Sequence, residues 1–306
     1  MQTLKFTGTY TAIVTPFKNG KIDRVALEKL INAQIKGGVD GIVPVGTTGE
    51  SPTLDYEEHI EVIELSVQFA AGKIKVLAGT GGNSTSEAIY LTKAAEDLGA
   101  DGSLQVAPYY NKPTQEGLFQ HFHAIARSTQ LPILLYSVPG RCGVEIGVET
   151  VDRLAHDSVN IVGIKEAGGN ADRVSQLHAA LGPRFTILSG DDSLTLPFMA
   201  LGAHGVISVA SNIIPKEVAQ LVKAMAAGDI VGAQKLHHTF YPVFKDLFVE
   251  TNPIPVKAAL AMMGLIHEEY RLPLVPMTSK NRELLRRTLK SCRVLRESGS
   301  KSSRSS

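Results

Sequence analysis

Gly99-Ala100-Asp101-Gly102-Ser103-Leu104-Gln105-Val106 is the stretch that decides the fold of this 306-residue chain. An amphipathic segment, 84–98, runs up to Gly99, a residue suited to ending a helix in the left-handed conformation. A tight turn follows, and Gly102–Val106 then reads as a short strand with no charge in it. The same passage recurs at Gly37-Gly38-Val39-Asp40-Gly41 and at Gly202-Ala203-His204-Gly205. Each time a helix ends, a glycine turn intervenes and a strand begins.

Outward from these turns, eight apolar, β-branched runs stand out: 10–14, 41–45, 75–78, 102–106, 133–137, 161–165, 186–189 and 205–208. Most are apolar on both faces, as in parallel sheets covered by helices. Between them lie amphipathic segments of helical length: 23–36, 55–70, 84–98, 115–128, 147–155, 170–180 and 193–201. Asp55 with Glu58, and Ser84 with Glu87, have the spacing of helix-capping pairs. Parallel strands need helical crossovers, and eight βα units in about 210 residues match a (β/α)8 TIM barrel. A doubly wound open sheet is the structural rival, and the recurring turn favours the barrel. Four more helical stretches follow, at 215–227, 229–249, 255–263 and 279–296. The expected organisation is a catalytic barrel over 1–228, a C-terminal helical extension over 229–297 and a disordered Ser/Lys/Arg/Gly tail over 298–306.

Composition narrows the function. Hydrophobic residues make up 43% and charged residues 20%, and the formal charge is +1. That balance gives no reason to expect nucleic acid as a partner. No run of 18 apolar residues suggests a membrane span, and the first residues lack a signal-peptide core. The two cysteines, Cys142 and Cys292, form no disulfide framework, which points to a reducing cytoplasm. Among the nine histidines, His121 and His123 face apart on a helix and His237 and His238 are adjacent, so no metal is expected.

In such barrels chemistry gathers at the carboxyl ends of the strands. Strand six, Ile161-Val162-Gly163-Ile164, ends in Lys165. A lysine against apolar walls loses hydration, its charged form is disfavoured, and the neutral amine can form a Schiff base with a carbonyl. Against this stands the commoner fate of a strand-end lysine, which is to reach water. Around it the other ends deliver Thr47-Thr48 between glycines, Tyr109-Tyr110-Asn111, Tyr136 with Arg141 beyond a Pro-Gly, and Gly190-Asp191-Asp192. Threonine hydroxyls suit a carboxylate, and an arginine fork suits a second one. Asp191 and Asp192 are read as helix caps, and Cys142 as inert.

Taken together, Gly-Thr-Thr-Gly-Glu at 46–50, Pro-Tyr-Tyr-Asn at 108–111, Tyr-x-Val-Pro-Gly-Arg at 136–141, Gly-Ile-Lys-Glu-Ala at 163–167, Ser-Gly-Asp-Asp at 189–192 and Gly-Val-Ile-Ser-Val at 205–209 carry a resemblance. The chain resembles the dihydrodipicolinate synthase family, within the pyruvate-dependent class I aldolase superfamily that includes N-acetylneuraminate lyase. The resemblance implies a lyase of lysine biosynthesis that condenses pyruvate with L-aspartate 4-semialdehyde to (4S)-4-hydroxy-2,3,4,5-tetrahydrodipicolinate. Another pyruvate-dependent aldolase, such as N-acetylneuraminate lyase or a keto-sugar-acid aldolase, is the alternative.

The resemblance assigns Lys165 the Schiff base, with no other cofactor. Tyr136, Thr47 and Tyr110 form the proton relay, Tyr110 reaching in from a neighbouring subunit. Thr48 holds the pyruvate carboxylate, with Ile207 through its backbone and Gly190 as further substrate contacts. Arg141 orients the carboxylate of the aldehyde. Ser51, His59, Asn83, Glu87 and Tyr109 match an allosteric lysine site. A homotetramer built as a dimer of dimers is implied. The sequence departs from the family pattern at Ser137 and Cys142, where Asn and Thr are common, and at Pro52 and Tyr56, where Ala and His are common.

Overall fold

The computed structural model describes residues 6–295, so the expected tail at 298–306 lies outside the described residues. The eight strands are β1 Gly8–Ala12, β2 Gly41–Val43, β3 Lys75–Gly79, β4 Gly102–Val106, β5 Ile133–Ser137, β6 Ile161–Glu166, β7 Thr186–Ser189 and β8 Gly205–Ser208. They are parallel and close on themselves, β1 pairing with both β2 and β8. The barrel expected from the βα period is therefore present. The recurring turn owes its form to two needs. Gly38, Gly99 and Gly202 have φ of 77°, 82° and 102°, where a side chain would be strained. The third position then satisfies a neighbouring strand: Thr9 N donates to Asp40 Oδ2 at 2.8 Å, Val76 N to Asp101 Oδ2 at 2.7 Å and Ile187 N to His204 Nδ1 at 3.2 Å.

The covering helices are α1 Arg24–Gly37, α2 Tyr56–Ala70, α3 Thr85–Asp97, α4 Gln115–Ala126, α5 Val148–Asp157, α6 Ala171–Leu181, α7 Thr195–Ala200 and α8 Pro215–Ala226. Asp55 and Glu58 form the expected capping box. Ser84 does not cap α3; its hydroxyl bonds the Ser86 hydroxyl at 3.0 Å instead. The helix expected over 193–201 is split into a one-turn 3-10 segment, Asp192–Leu194, and α7. Pro197 lacks an N–H, so the α-helix restarts with the proline in its first turn, where none is needed. A hairpin, Phe17–Lys18 with Lys21–Ile22, was not among the expected elements. Its Asn19-Gly20 turn, with φ of 54° and 78°, is a strong hairpin signal.

Three further helices follow the barrel: α9 Ile230–Asp246, α10 Ile254–Met262 and α11 Ser279–Ser291. Val243, Phe244, Leu247, Val256 and Leu260 share one apolar core with Val14, Ile42 and Val45 of the barrel. That packing brings the segment 248–252 over the carboxyl ends of the strands.

One irregularity in the sheet decides which side chains stand opposite each other at its carboxyl end. β5 and β6 pair Ile133 with Ile161 but Leu134 with Gly163, so Val162 is an extra residue on β6. Beyond this bulge Tyr136 stands opposite Lys165. Had the pairing run on without it, Ile164 would face Tyr136, since a one-residue slip exchanges the faces of a strand. Gly163 permits the close packing on the other side, because a Cβ there would lie 2.5 Å from Thr186 O.

Candidate active site

Lys165 ends the apolar run of β6, and its side chain is 7% exposed. Its Nζ lies 4.1 Å from the centroid of the Tyr136 ring. The next residue, Glu166, is the nearest carboxylate in sequence, but it turns to the other face of the strand. There it accepts from Arg173 Nε at 2.7 Å and from Gly168 N at 2.7 Å. Burial pushes the Glu166 carboxyl up, and the Arg173 guanidinium opposes this. Among the described residues Lys165 belongs to no ion pair, so its amine faces an aromatic ring and the cavity rather than a counter-ion.

The cavity in front of Lys165 has a volume of about 120 Å³. Thr47, Thr48, Tyr136, Arg141, Gly190 and Asn252 are among the residues that line it. Gly190 leaves room beside the amine: a Cβ there would lie 3.1 Å from Lys165 Cε and 2.6 Å from Ala167 Cβ. Thr48 is buried, and its Oγ1 accepts from Asn252 Nδ2 at 3.0 Å. That bond uses one acceptor lone pair of the hydroxyl and leaves its proton free to donate to another oxygen. Arg141, on the one-turn helix Pro139–Cys142, donates from Nη2 to Asn252 O at 3.2 Å. Its remaining N–H groups make it a ready partner for a carboxylate.

Of the two aspartates of Ser189-Gly190-Asp191-Asp192, Asp191 caps the segment that follows, as read from the sequence, whereas Asp192 does not cap it and instead braces β8. Asp191 accepts from Ser193 N at 2.8 Å. Asp192, buried, accepts from Ser208 Oγ, from Val209 N at 3.0 Å and from Ala210 N at 2.9 Å. It ties the exit of β7 to that of β8 and so holds Val209 at the cavity wall. Ile207 lies inside β8, fully buried opposite Tyr10.

A second cavity of about 220 Å³ adjoins the first and shares Thr47, Tyr136 and Arg141 with it. Cys142 lines it. Burial pushes the Cys142 thiol up to about 11, with Arg141 opposing, and the protonated thiol donates to Ala107 O at 3.1 Å. Ser137 turns away from both cavities, where its Oγ accepts from Ile146 N at 3.4 Å. Farther out, Ser51, Pro52, Tyr56, His59, Glu87 and Tyr109 line a cavity of about 490 Å³. Asn83 borders this region and donates from Nδ2 to Tyr109 O at 3.3 Å. His59 donates from Nε2 to Gly79 O at 2.9 Å, and burial pushes its imidazole down to about 4, so it is neutral near pH 7.

Lys165, Tyr136, Thr47, Thr48, Arg141 and Gly190 are thus brought together as read from the sequence. Tyr110 is not: it stands 91% exposed and lines none of the three cavities described. Asn252 and Phe248 also line the cavity in front of Lys165, and the sequence reading did not include them. They lie after the eighth strand, outside the strand-end pattern. The only local signal was a polar residue between a threonine and a proline, Thr251-Asn252-Pro253. Among the described residues no cluster of three or more His, Cys, Asp and Glu could hold a metal ion. Nor is any described helix long and apolar enough to cross a membrane.

The chain matches the Dihydrodipicolinate synthetase family over residues 5–292. A 4-hydroxy-tetrahydrodipicolinate synthase of Thermodesulfovibrio yellowstonii is 56% identical over 291 residues, covering 95% of this chain and 100% of the relative. The structure of the 4-hydroxy-tetrahydrodipicolinate synthase of Methylacidiphilum fumariolicum superposes with a TM-score of 0.94 at 60% identity, covering 94% of this chain and 96% of that one. The dihydrodipicolinate synthase of Acinetobacter baumannii, solved in complex with pyruvate, gives a TM-score of 0.92 at 49% identity, with 94% and 99% covered.

Proposed function

The chain belongs to the Dihydrodipicolinate synthetase family, and from that premise we propose how its residues divide the work of the reaction. It is a lyase of lysine biosynthesis. It condenses pyruvate with L-aspartate 4-semialdehyde to give (4S)-4-hydroxy-2,3,4,5-tetrahydrodipicolinate. Relatives at 56% and 60% identity carry the synthase name, which disfavours the alternative of a sugar-acid aldolase.

The observation that carries the assignment of roles is Lys165 Nζ standing over Tyr136 in a cavity walled by Thr47, Thr48 and Arg141. In the proposed sequence the Lys165 amine adds to the ketone carbon of pyruvate. The carbinolamine hydroxyl leaves as water with a proton from Tyr136, and an iminium remains. The iminium draws electrons from the C–H bonds of the methyl group, and loss of one proton gives an enamine. The enamine carbon attacks the aldehyde carbon, whose oxygen takes up a proton. The amino group of the second substrate then adds to the imine carbon and displaces Lys165, closing the ring. Each step moves a proton over hydrogen-bond range, which is what a Tyr136–Thr47 relay supplies. Thr48 gives its hydroxyl proton to the pyruvate carboxylate, and Gly190 and the Ile207 backbone complete that pocket.

Tyr110 is proposed to complete the relay from a neighbouring subunit, since it is exposed and does not line the cavity of its own chain. This role requires at least a dimer, and the proposed homo-oligomer is a tetramer of paired dimers, as the family resemblance implies. The segment 229–297 is proposed as an extension that completes the site, on the strength of Asn252 and Phe248. Pyruvate and borohydride are expected to add mass at Lys165, and the semialdehyde is expected to be consumed in the presence of pyruvate. Absence of the adduct would overturn the mechanism.

Arg141→Ala is expected to spare the pyruvate adduct and raise the KM for the aldehyde by about ten- to hundredfold, as loss of a charge-assisted contact does. Steady-state kinetics with each substrate varied in turn check this, and an unchanged aldehyde KM refutes the role. The cavity lined by Ser51, His59, Glu87 and Tyr109, with Asn83 beside it, is proposed to take lysine as a regulator. Isothermal titration is expected to register lysine binding there. Silence at millimolar lysine removes that proposal, and Pro52 and Tyr56 are the departures that would account for it.

A further inference from the structure

Two residues around the Thr47-Thr48 turn adopt a backbone that L-residues rarely take. φ is +50° at Val45 and +56° at Glu50, and a β-branched valine is especially disfavoured there. The turn cannot relax inward. A Cβ on Gly49 would lie 2.9 Å from Val45 N, and one on Gly79 would lie 2.8 Å from Val45 O. Such a conformation persists only when its surroundings over-determine it.

The surroundings are supplied by the chain beyond the barrel. Glu50 is 1% exposed and Lys257 fully buried, and the Lys257 ammonium bonds Glu50 Oε1. Glu50 Oε2 accepts from Arg271 N at 3.3 Å. The Lys257 Nζ also lies 4.4 Å from the centroid of the Phe17 ring and 5.3 Å from that of Tyr270. Lys257 belongs to α10, and just ahead of that helix Asn252 donates to Thr48 Oγ1. One short element therefore grips the turn at both ends, at Thr48 through Asn252 and at Glu50 through Lys257.

A buried ion pair is seldom more stabilising than an apolar pair of the same volume. What it adds is direction. We propose that Glu50 and Lys257 are positioning residues whose ion pair sets the Thr47-Thr48 turn so that the Thr48 hydroxyl meets the pyruvate carboxylate. The inference rests on the proposed function. Wild-type borohydride trapping tests that reading, and the ratio of variant to wild type tests the clamp, so the two failures are told apart.

The first test is the Glu50→Met/Lys257→Met double variant, which keeps the volume and removes the direction. It is expected to unfold near the wild-type temperature and to trap pyruvate only at raised concentration. Its kcat/KM for pyruvate is expected to fall by about ten- to hundredfold, mainly through KM, as misplacement of a binding group does. A folded double variant with wild-type KM for pyruvate overturns the proposal. Glu50→Asp carries the same test with the charges retained, should the double variant not fold. In a Thr48→Val background the Glu50→Asp change is expected to be silent, because the hydroxyl it positions is gone. An equal loss in both backgrounds would show that the pair acts only on general stability and would overturn the clamp.

Discussion

Lys165→Ala is expected to abolish the borohydride-trapped pyruvate adduct and to lower kcat by about a thousandfold or more, as removal of a covalent nucleophile does. The reason lies in the surroundings of the amine. Glu166, the adjacent carboxylate, is engaged by Arg173 on the far face of β6. Lys165 Nζ is left over the Tyr136 ring, and among the described residues it makes no ion pair. A lysine so placed does not anchor the fold through a salt bridge, so its truncation should leave the protein folded. Circular dichroism before and after the substitution checks this, and mass spectrometry of the trapped protein locates the adduct. An adduct of undiminished yield on the variant would move the Schiff base to another lysine. Lys257 is the other buried lysine of this end of the molecule, and its bond to Glu50 makes it a poor nucleophile.

Tyr136→Phe is expected to lower kcat by about a hundred- to ten-thousandfold, the usual range for loss of a general acid–base group. The ring stays in place, so its contact with the Lys165 ammonium is kept. Only the hydroxyl goes, and no hydroxyl of comparable acidity replaces it. Thr47 lies in the same cavity wall, but an aliphatic hydroxyl cannot deliver a proton as a phenol does. Trapping of pyruvate should become slow rather than absent, because the lysine remains. Pre-steady-state trapping alongside steady-state turnover separates these two effects. Turnover close to that of wild type would take the proton shuttle away from Tyr136.

The barrel was legible because its signals are local. A strand buried on both faces must be apolar throughout, and a helix ending at Gly99 must turn at a glycine. The hydrogen-bonding side chain at the third turn position was visible as a repeat, but its purpose was not. Asp40, Asp101 and His204 serve strands distant in sequence, which only the closed sheet brings beside them. The hairpin at Asn19-Gly20 was also legible, since its turn residues alone carry the signal. Of the site, the strand-end residues could be found by following one rule of barrel architecture. Asn252, Phe248 and Lys257 obey no such rule. They reach the site because the helices after the barrel fold back over its mouth.

The sequence by itself determined that an apolar strand ends in Lys165, that it is the sixth of eight, and that Thr47, Thr48, Tyr136 and Arg141 emerge at the same end. These follow from periodicity and order along the chain. Which face of the strand Lys165 occupies was decided by tertiary structure. The extra residue Val162 shifts β6 by one against β5, and Gly163 gives it room against Thr186. Side chains alternate along a strand, so that single shift turns Lys165 onto the face of Tyr136. The backbone of the Thr47-Thr48 turn was decided the same way, by Glu50 meeting Lys257 across 207 residues of chain. Periodicity describes a strand or a helix taken alone, whereas register and buried pairing belong to two segments at once.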